Sequence, residues 1–227
     1  METDAVVGKV LEALDDHGLS DYTLVLFSSD NGCAPYIDVA GLEAQGHYPS
    51  GPLRGYKSDV WEGGHRVPLI ARWPGHIQPG SVCPQLVHQA DVMATAAEIV
   101  GARLPENVGE DSFSFLPLLL GSQQATREHA VSQSIQGLLS VRHQQWKLIF
   151  GPGSGGWTAG SDDLPAQLYD LAADLPESNN LYSSRADKVA ELTQLMDRLV
   201  AQGRSTPGTP QSNDQPVDWK KFMAAAR

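Results

Sequence analysis

Positive charge is scarce in this chain of 227 residues: 16 Lys and Arg stand against 27 Asp and Glu, a formal net charge of −11. A nucleic-acid-binding surface needs a basic footprint, so that class is set aside. Cysteine is scarce too. Cys33 and Cys83 lie far apart and neither belongs to a CxxC, which argues against a zinc knuckle. No apolar run approaches the ~20 residues of a membrane span. The amino end, Met1-Glu2-Thr3-Asp4, offers no basic segment followed by an apolar one, so no signal peptide is expected in the chain as it stands. An acidic chain of this kind can bind an anion only locally, with a metal and a few cations. That turns attention to Arg54, Lys57 and Arg66.

With 41% hydrophobic and 19% charged residues, the composition is that of a globular protein with one sizeable core, or a core and a small satellite. Residues 3–17 read as an amphipathic helix with Val6, Val7, Val10, Leu11 and Leu14 on its apolar face. An apolar strand follows at 23–28. Helix then strand is a rhythm that favours a mostly parallel sheet. It is an odd beginning for a domain, and Met1 reads as an internal methionine of a longer ancestor. Residues 32–64 form a long irregular loop, and such loops in compact domains are usually functional or disordered. A short strand lies at 67–73, a helix at 85–101 with Leu86, Val87, Ala90, Met93, Ala94, Ala97 and Val100 inward, and an apolar turn or helix at 111–121.

The character then changes. Short strands are expected at 130–134, 137–142, 145–150 and 167–171, with a hairpin around His143-Gln144 and a glycine-rich loop over 151–163. A last amphipathic helix spans 185–202 with Val189, Leu192, Leu195, Met196 and Leu199 inward. The reading divides the chain into an α/β part over 1–125, a small antiparallel α+β part over 126–205 and a flexible tail over 206–227.

The chemistry concentrates between Tyr22 and Gly75. The strand ends in Ser29-Asp30-Asn31-Gly32, an ordinary turn sequence but also a carboxylate and an amide at the carboxyl end of a strand, where open α/β sheets present ligands. Adjacent oxygen donors at Asp30 and Asn31 suit Ca²⁺, with Mg²⁺ the alternative, rather than a soft metal. Lys57 stands among glycines, with Arg54 and Arg66 nearby, and is a candidate to neutralise a transferring oxyanion. Arg66 reads equally well as an ion-pair partner of Glu62 or Asp59. His47, within the loop, and Arg54 are candidate substrate contacts. His76 and His88 read as structural or exposed.

Ser29-Asp30-Asn31-Gly32, Leu53-Arg54-Gly55-Tyr56-Lys57, Trp61-Glu62-Gly63-Gly64-His65-Arg66-Val67-Pro68 and Trp73-Pro74-Gly75 together resemble the arylsulfatase family, the formylglycine-dependent sulfatases. The likeness continues through Asp91-Val92-Met93-Ala94-Thr95 and Leu168-Tyr169-Asp170-Leu171 and covers most of residues 1–205. It implies part of an alkaline-phosphatase-like mixed sheet flanked by helices, then a small antiparallel sheet with a carboxyl-terminal helix. It implies calcium ligands at Asp30 and Asn31, and at Lys57 the catalytic lysine that holds the sulfate and assists the leaving oxygen. The implied reaction is hydrolysis of a sulfate ester, carried by a small molecule or a sulfated glycan. In the family a formylglycine hydrate attacks sulfur.

The family forms that nucleophile from Cys/Ser-x-Pro-x-Arg, and no such motif stands here. Cys33-Ala34-Pro35-Tyr36-Ile37 begins like it but has Ile37 where arginine is required. The family's amino-terminal aspartate pair is also missing. The chain is therefore expected to be a carboxyl-terminal portion that does not turn over an ester alone. Other readings are a phosphate or phosphonate ester hydrolase of the same superfamily, or a non-catalytic chain binding a sulfated ligand or a partner. Self-association through exposed apolar edges is expected. A full-length relative would be periplasmic or extracellular.

Overall fold

The computed structural model describes residues 2–160 and 163–224. Met1, Ser161 and Asp162 of the expected glycine-rich loop, and the last three residues of the expected tail lie outside them.

The first helix, α1 (Glu2–Asp16), forms where the apolar period requires. Val7, Leu11 and Leu14 are half-buried, but Val6 and Val10 are exposed. A single 3₁₀ turn, Ser20–Tyr22, leads into β1 (Val25–Ser28). The long loop carries two short helices, α2 (Val39–Ala44) and α3 (Glu62–His65), and returns as β2 (Leu69–Arg72). β1 and β2 pair antiparallel, from Val25 opposite Arg72 to Ser28 opposite Leu69. The expectation of a mostly parallel sheet is thereby corrected: every strand pair among the described residues is antiparallel. The loop brings β2 straight back beside β1, and a hydrogen bond from Ser28 Oγ to the Pro68 carbonyl (2.9 Å) closes its mouth.

The helix expected at 85–101 is shorter, α4 (Asp91–Ile99). The Asp91 carboxylate accepts from the His88 amide at 2.8 Å, which holds residues 88–91 in a turn where apolar spacing alone would continue the helix. Its inner face is also not the expected one. Met93 and Val100 are exposed, and Asp91 and Thr95 are buried. Asp91 pairs with Arg127 at 2.9 Å, and both are almost fully enclosed. The turn helix α5 (Leu116–Leu119) follows.

The second layer is a four-stranded antiparallel sheet in the order β3 (His129–Gln133), β4 (Leu139–His143), β5 (Trp146–Ile149), β6 (Gln167–Asp170). The expected hairpin is present: His143 faces Trp146 across a turn in which Gln144 adopts a φ of 54°. β5 is buried on both faces. On one side α6 (Ala186–Gln202) lays Leu192, Met196 and Leu199 against Val141, Leu148 and Leu168. On the other, Ile149 and Tyr169 pack with Val60 and Trp61 from the long loop. The two parts of the chain therefore share a core at the root of that loop.

Beyond Gly203, composition reads as a tail, yet parts of it are packed. Arg204 donates to the carbonyls of Glu106, Thr206 and Thr209. Trp219 is buried edge-to-face on Phe150, ring centroids 4.5 Å apart, just before α7 (Lys221–Ala224). One tryptophan in a polar stretch is enough to anchor it. No helix among the described residues is long and apolar enough to cross a membrane.

Candidate functional site

β1 delivers Asp30 and Asn31 at its carboxyl end, and the loop behind them is stitched by backbone hydrogen bonds. The Gly32 amide donates to the Gly64 carbonyl (2.9 Å), Lys57 N to the Cys33 carbonyl (2.8 Å) and Gly63 N to the Arg54 carbonyl (2.7 Å). A Cβ on Gly32 would collide with the Gly63 carbonyl, so that close approach requires glycine. Asp59, itself buried, accepts from Tyr56 N at 2.8 Å. Ser58, next to Lys57, takes a φ of 82°, a conformation a non-glycine residue holds only when its surroundings impose it. Here they do: the Ile135 amide donates to the Ser58 carbonyl (3.0 Å) and the Trp157 amide to Ser58 Oγ (3.2 Å).

Asp30 is exposed and lines a cleft of about 300 Å³ with Glu62, His65, Arg66 and Arg142. Asn31 lines the neighbouring cleft, about 360 Å³, with Cys33, His47 and Arg66. Arg66 and Val67 form the wall between the two. Lys57 is half-buried, and its ammonium makes no hydrogen bond among the described residues. Arg54, expected to touch substrate, is engaged elsewhere: its guanidinium lies 3.7 Å from the Trp61 ring centre and donates to the Glu177 carbonyl (2.8 Å) and Tyr169 hydroxyl (3.2 Å). Burial pushes the Cys33 thiol up, against a role as nucleophile.

Two family models match the chain: Sulfatase over residues 1–102, and N-sulphoglucosamine sulphohydrolase, C-terminal, over residues 56–205. The chain belongs to the sulfatase family. Its curated relatives include N-acetylgalactosamine-6-O-sulfatase of Bacteroides thetaiotaomicron, 36% identical over an alignment of 208 positions that covers 88% of this chain and 40% of that protein. Human arylsulfatase A is 36% identical over an alignment of 216 positions that covers 88% of this chain and 41% of that one. A solved structure from work on glycosaminoglycan metabolism by Bacteroides thetaiotaomicron superposes with a TM-score of 0.76 at 32% identity, over 87% of this chain and 42% of that one. The sulfatase chain thus spans about 40% of the length of these curated relatives.

The family implies calcium. Among the described residues no group of three or more His, Cys, Asp or Glu side chains is placed to hold a metal ion. Asp30 and Asn31 fit a part of a calcium shell. Asn31 Nδ2 is committed to the Gly32 carbonyl at 3.0 Å, which leaves Oδ1 as the oxygen donor beside the Asp30 carboxylate. Calcium takes roughly six to eight oxygens, so the remainder must come from other groups.

Sequence reasoning missed what lies beneath the loop of this sulfatase chain. Lys147 Nζ sits 2.9 Å from Glu62 Oε1 and 2.9 Å from Glu177 Oε1, all three side chains enclosed. Burial alone would raise the Glu62 carboxyl. The Lys147 ammonium, with His65 and Arg142, overrides it and holds Glu62 down to about 2. Burial wins at Glu177, which is pushed above the ordinary carboxyl range against the pull of Lys147. His65 is held down to about 3, first by burial and then by the Lys147 charge, 3.1 Å from its Nε2. The Arg66 reading is met: Arg66 pairs with Glu62 at 3.2 Å. His76 stacks on Trp73, as a structural histidine would.

Proposed function

We propose that this chain forms the portion of a sulfuric ester hydrolase that grips the sulfate group. Asp30 and Asn31 would hold a calcium ion, which supplies positive charge to the sulfuryl oxygens when bound. Lys57 would contribute its ammonium to the same oxygens and stabilise charge on the leaving oxygen. His47, on the rim of the cleft that Asn31 lines, would contact the alcohol part of the ester. Arg54 is better read as the bolt that fixes the loop to the small sheet. The observation that carries this reading is the 2.8 Å hydrogen bond from Lys57 N to the Cys33 carbonyl, which ties the backbone of the lysine to the chain two residues beyond Asn31.

The relatives support a sulfated sugar as the substrate class, since one of them is named N-acetylgalactosamine-6-O-sulfatase. The motif that yields the formylglycine is absent from this sequence, so the chain by itself would bind the sulfated ligand rather than turn it over.

Calorimetric titration tests the proposal. Calcium should bind the wild-type chain, and Asp30→Asn should weaken it. Inorganic sulfate should bind more tightly with calcium present, and Lys57→Ala should remove that binding. Equal sulfate affinity in Lys57→Ala and wild type would refute the role of the lysine.

A further inference from the structure

Two aromatic rings stand exposed against each other. Tyr36, in the loop that follows Asp30-Asn31-Gly32, is 72% exposed, and Trp157, in the glycine-rich loop after β5, is 51% exposed. Their ring centroids are 6.3 Å apart with planes inclined at 53°. Neither belongs to a hydrophobic core cluster. Large exposed aromatics on a fixed base mark a binding surface more often than they serve packing.

The base is fixed. Trp157 N donates to Ser58 Oγ at 3.2 Å, and Thr158 donates to Asp59 from its amide (3.2 Å) and from its hydroxyl. A Cβ on Gly156 would meet the Asp59 carboxylate and the Ser58 backbone, so the glycine-rich loop lies flush against residues 58–59. Val60 N donates to the Ser154 carbonyl at 2.9 Å. The backbone of Trp157 is thereby held at Ser58, the residue after Lys57, and its ring meets that of Tyr36.

We infer that Tyr36 and Trp157 form a stacking platform for a sugar ring of a sulfated glycan, adjoining the sulfate held at Lys57. The inference rests on the sulfate-binding role proposed for Lys57 and adds the residues that select the sugar. A pyranose presents a face of axial C–H groups that packs on the negative face of an aromatic ring. A bare sulfate ion would not reach the platform.

The full chain, with calcium, is titrated with inorganic sulfate and with a 6-sulfated hexosamine disaccharide. Trp157→Ala and Tyr36→Ala should each weaken the disaccharide about tenfold, the size of one aromatic stacking contact, and leave inorganic sulfate unchanged. Trp157→Phe should recover most of the loss. Circular dichroism checks that each variant is folded, which is expected of substitutions at exposed positions. The proposal is overturned if the aromatic variants bind the disaccharide as wild type does, or if the disaccharide binds wild type no more tightly than sulfate. It is overturned equally if the patch captures a protein chain and no sugar. Should Lys57→Ala alone weaken the disaccharide, the platform falls and the sulfate reading stands. Should the aromatic variants alone weaken it, the rings bind sugar but not beside a sulfate at Lys57, and the Lys57 reading falls.

Discussion

Glu177 Oε2 accepts a hydrogen bond from the backbone amide of Glu62 at 2.6 Å, although 115 residues separate the two in sequence. The turn after β6 thus holds the first residue of α3, and α3 is the floor on which Gly32 and Arg54 rest. Lys147 lies between both carboxylates, hydrogen-bonded to Glu62 and ion-paired with Glu177. The candidate site is built on a loop of one layer and braced by the other.

Removing the cation from this brace should be costly. Lys147→Met leaves two enclosed carboxyl groups around an apolar side chain, and breaking a buried pair costs about 3–5 kcal/mol. Urea unfolding should show that loss. A midpoint close to wild type would mean that the carboxyls are solvated and the brace is not closed.

Acid should weaken the fold in two steps of the same sign. His65 is neutral when folded, held down to about 3 against an ordinary 6.5. Below 6.5 the unfolded chain takes up a proton that the folded chain refuses, so stability falls as pH drops from 6.5 towards 3. Glu62, held down to about 2 against 4.5, adds a second loss from 4.5 towards 2. Glu177, pushed up by burial, acts in the opposite direction: its contribution is present at low pH and lost as pH rises through its folded value. Urea midpoints between pH 7 and 5 should fall with pH in wild type and fall less steeply in His65→Gln. His88 and His129, also held low by burial, keep the rest of the slope. An unchanged slope in the variant would show that His65 titrates normally.

The close approach at the strand end makes a contrast between two glycines. Gly32→Ala forces its methyl into the Gly63 carbonyl and should cost about 1–3 kcal/mol, the usual range for overpacking. Gly8 sits inside α1 with open space around it, so Gly8→Ala should stabilise by roughly 0.5–1 kcal/mol. Thermal melts of the two variants should move in opposite directions.

Asp91 is the polar centre of its neighbourhood. One carboxylate accepts from Arg127, His88 N and Phe113 N. Asp91→Asn keeps the shape but removes the charge facing a nearly enclosed guanidinium, and should cost about 3 kcal/mol in urea unfolding. A variant as stable as wild type would show that the hydrogen bonds, not the charge, carry the pair.

The sequence made the short-range features legible. α1, β1 and α6 follow from apolar period, and the β4–β5 hairpin from two strand-like runs around His143-Gln144. Asp30, Asn31 and Lys57 stood out because one loop holds them all. What escaped is long-range or turns on one side chain. Strand direction failed because a helix–strand rhythm does not reveal which strand lies next to β1. The start of α4 failed because the apolar spacing of Leu86, Val87 and Ala90 continues past a turn that the Asp91 carboxylate enforces. Arg54 looked like a free cation, and only the fold reveals Trp61, Tyr169 and Glu177 around it. The pairing of Lys147 with Glu62 spans 85 residues, and no local pattern announces it.

The bond from Glu62 to Glu177 also sets an order of events during synthesis. A ribosome adds about 5–20 residues per second, so Glu177 is joined roughly 6–23 s after Glu62. For that interval the loop bearing Asp30, Asn31 and Lys57 exists without its brace. The end of the molecule that carries this loop is therefore among the last parts of the nascent chain to acquire its final shape.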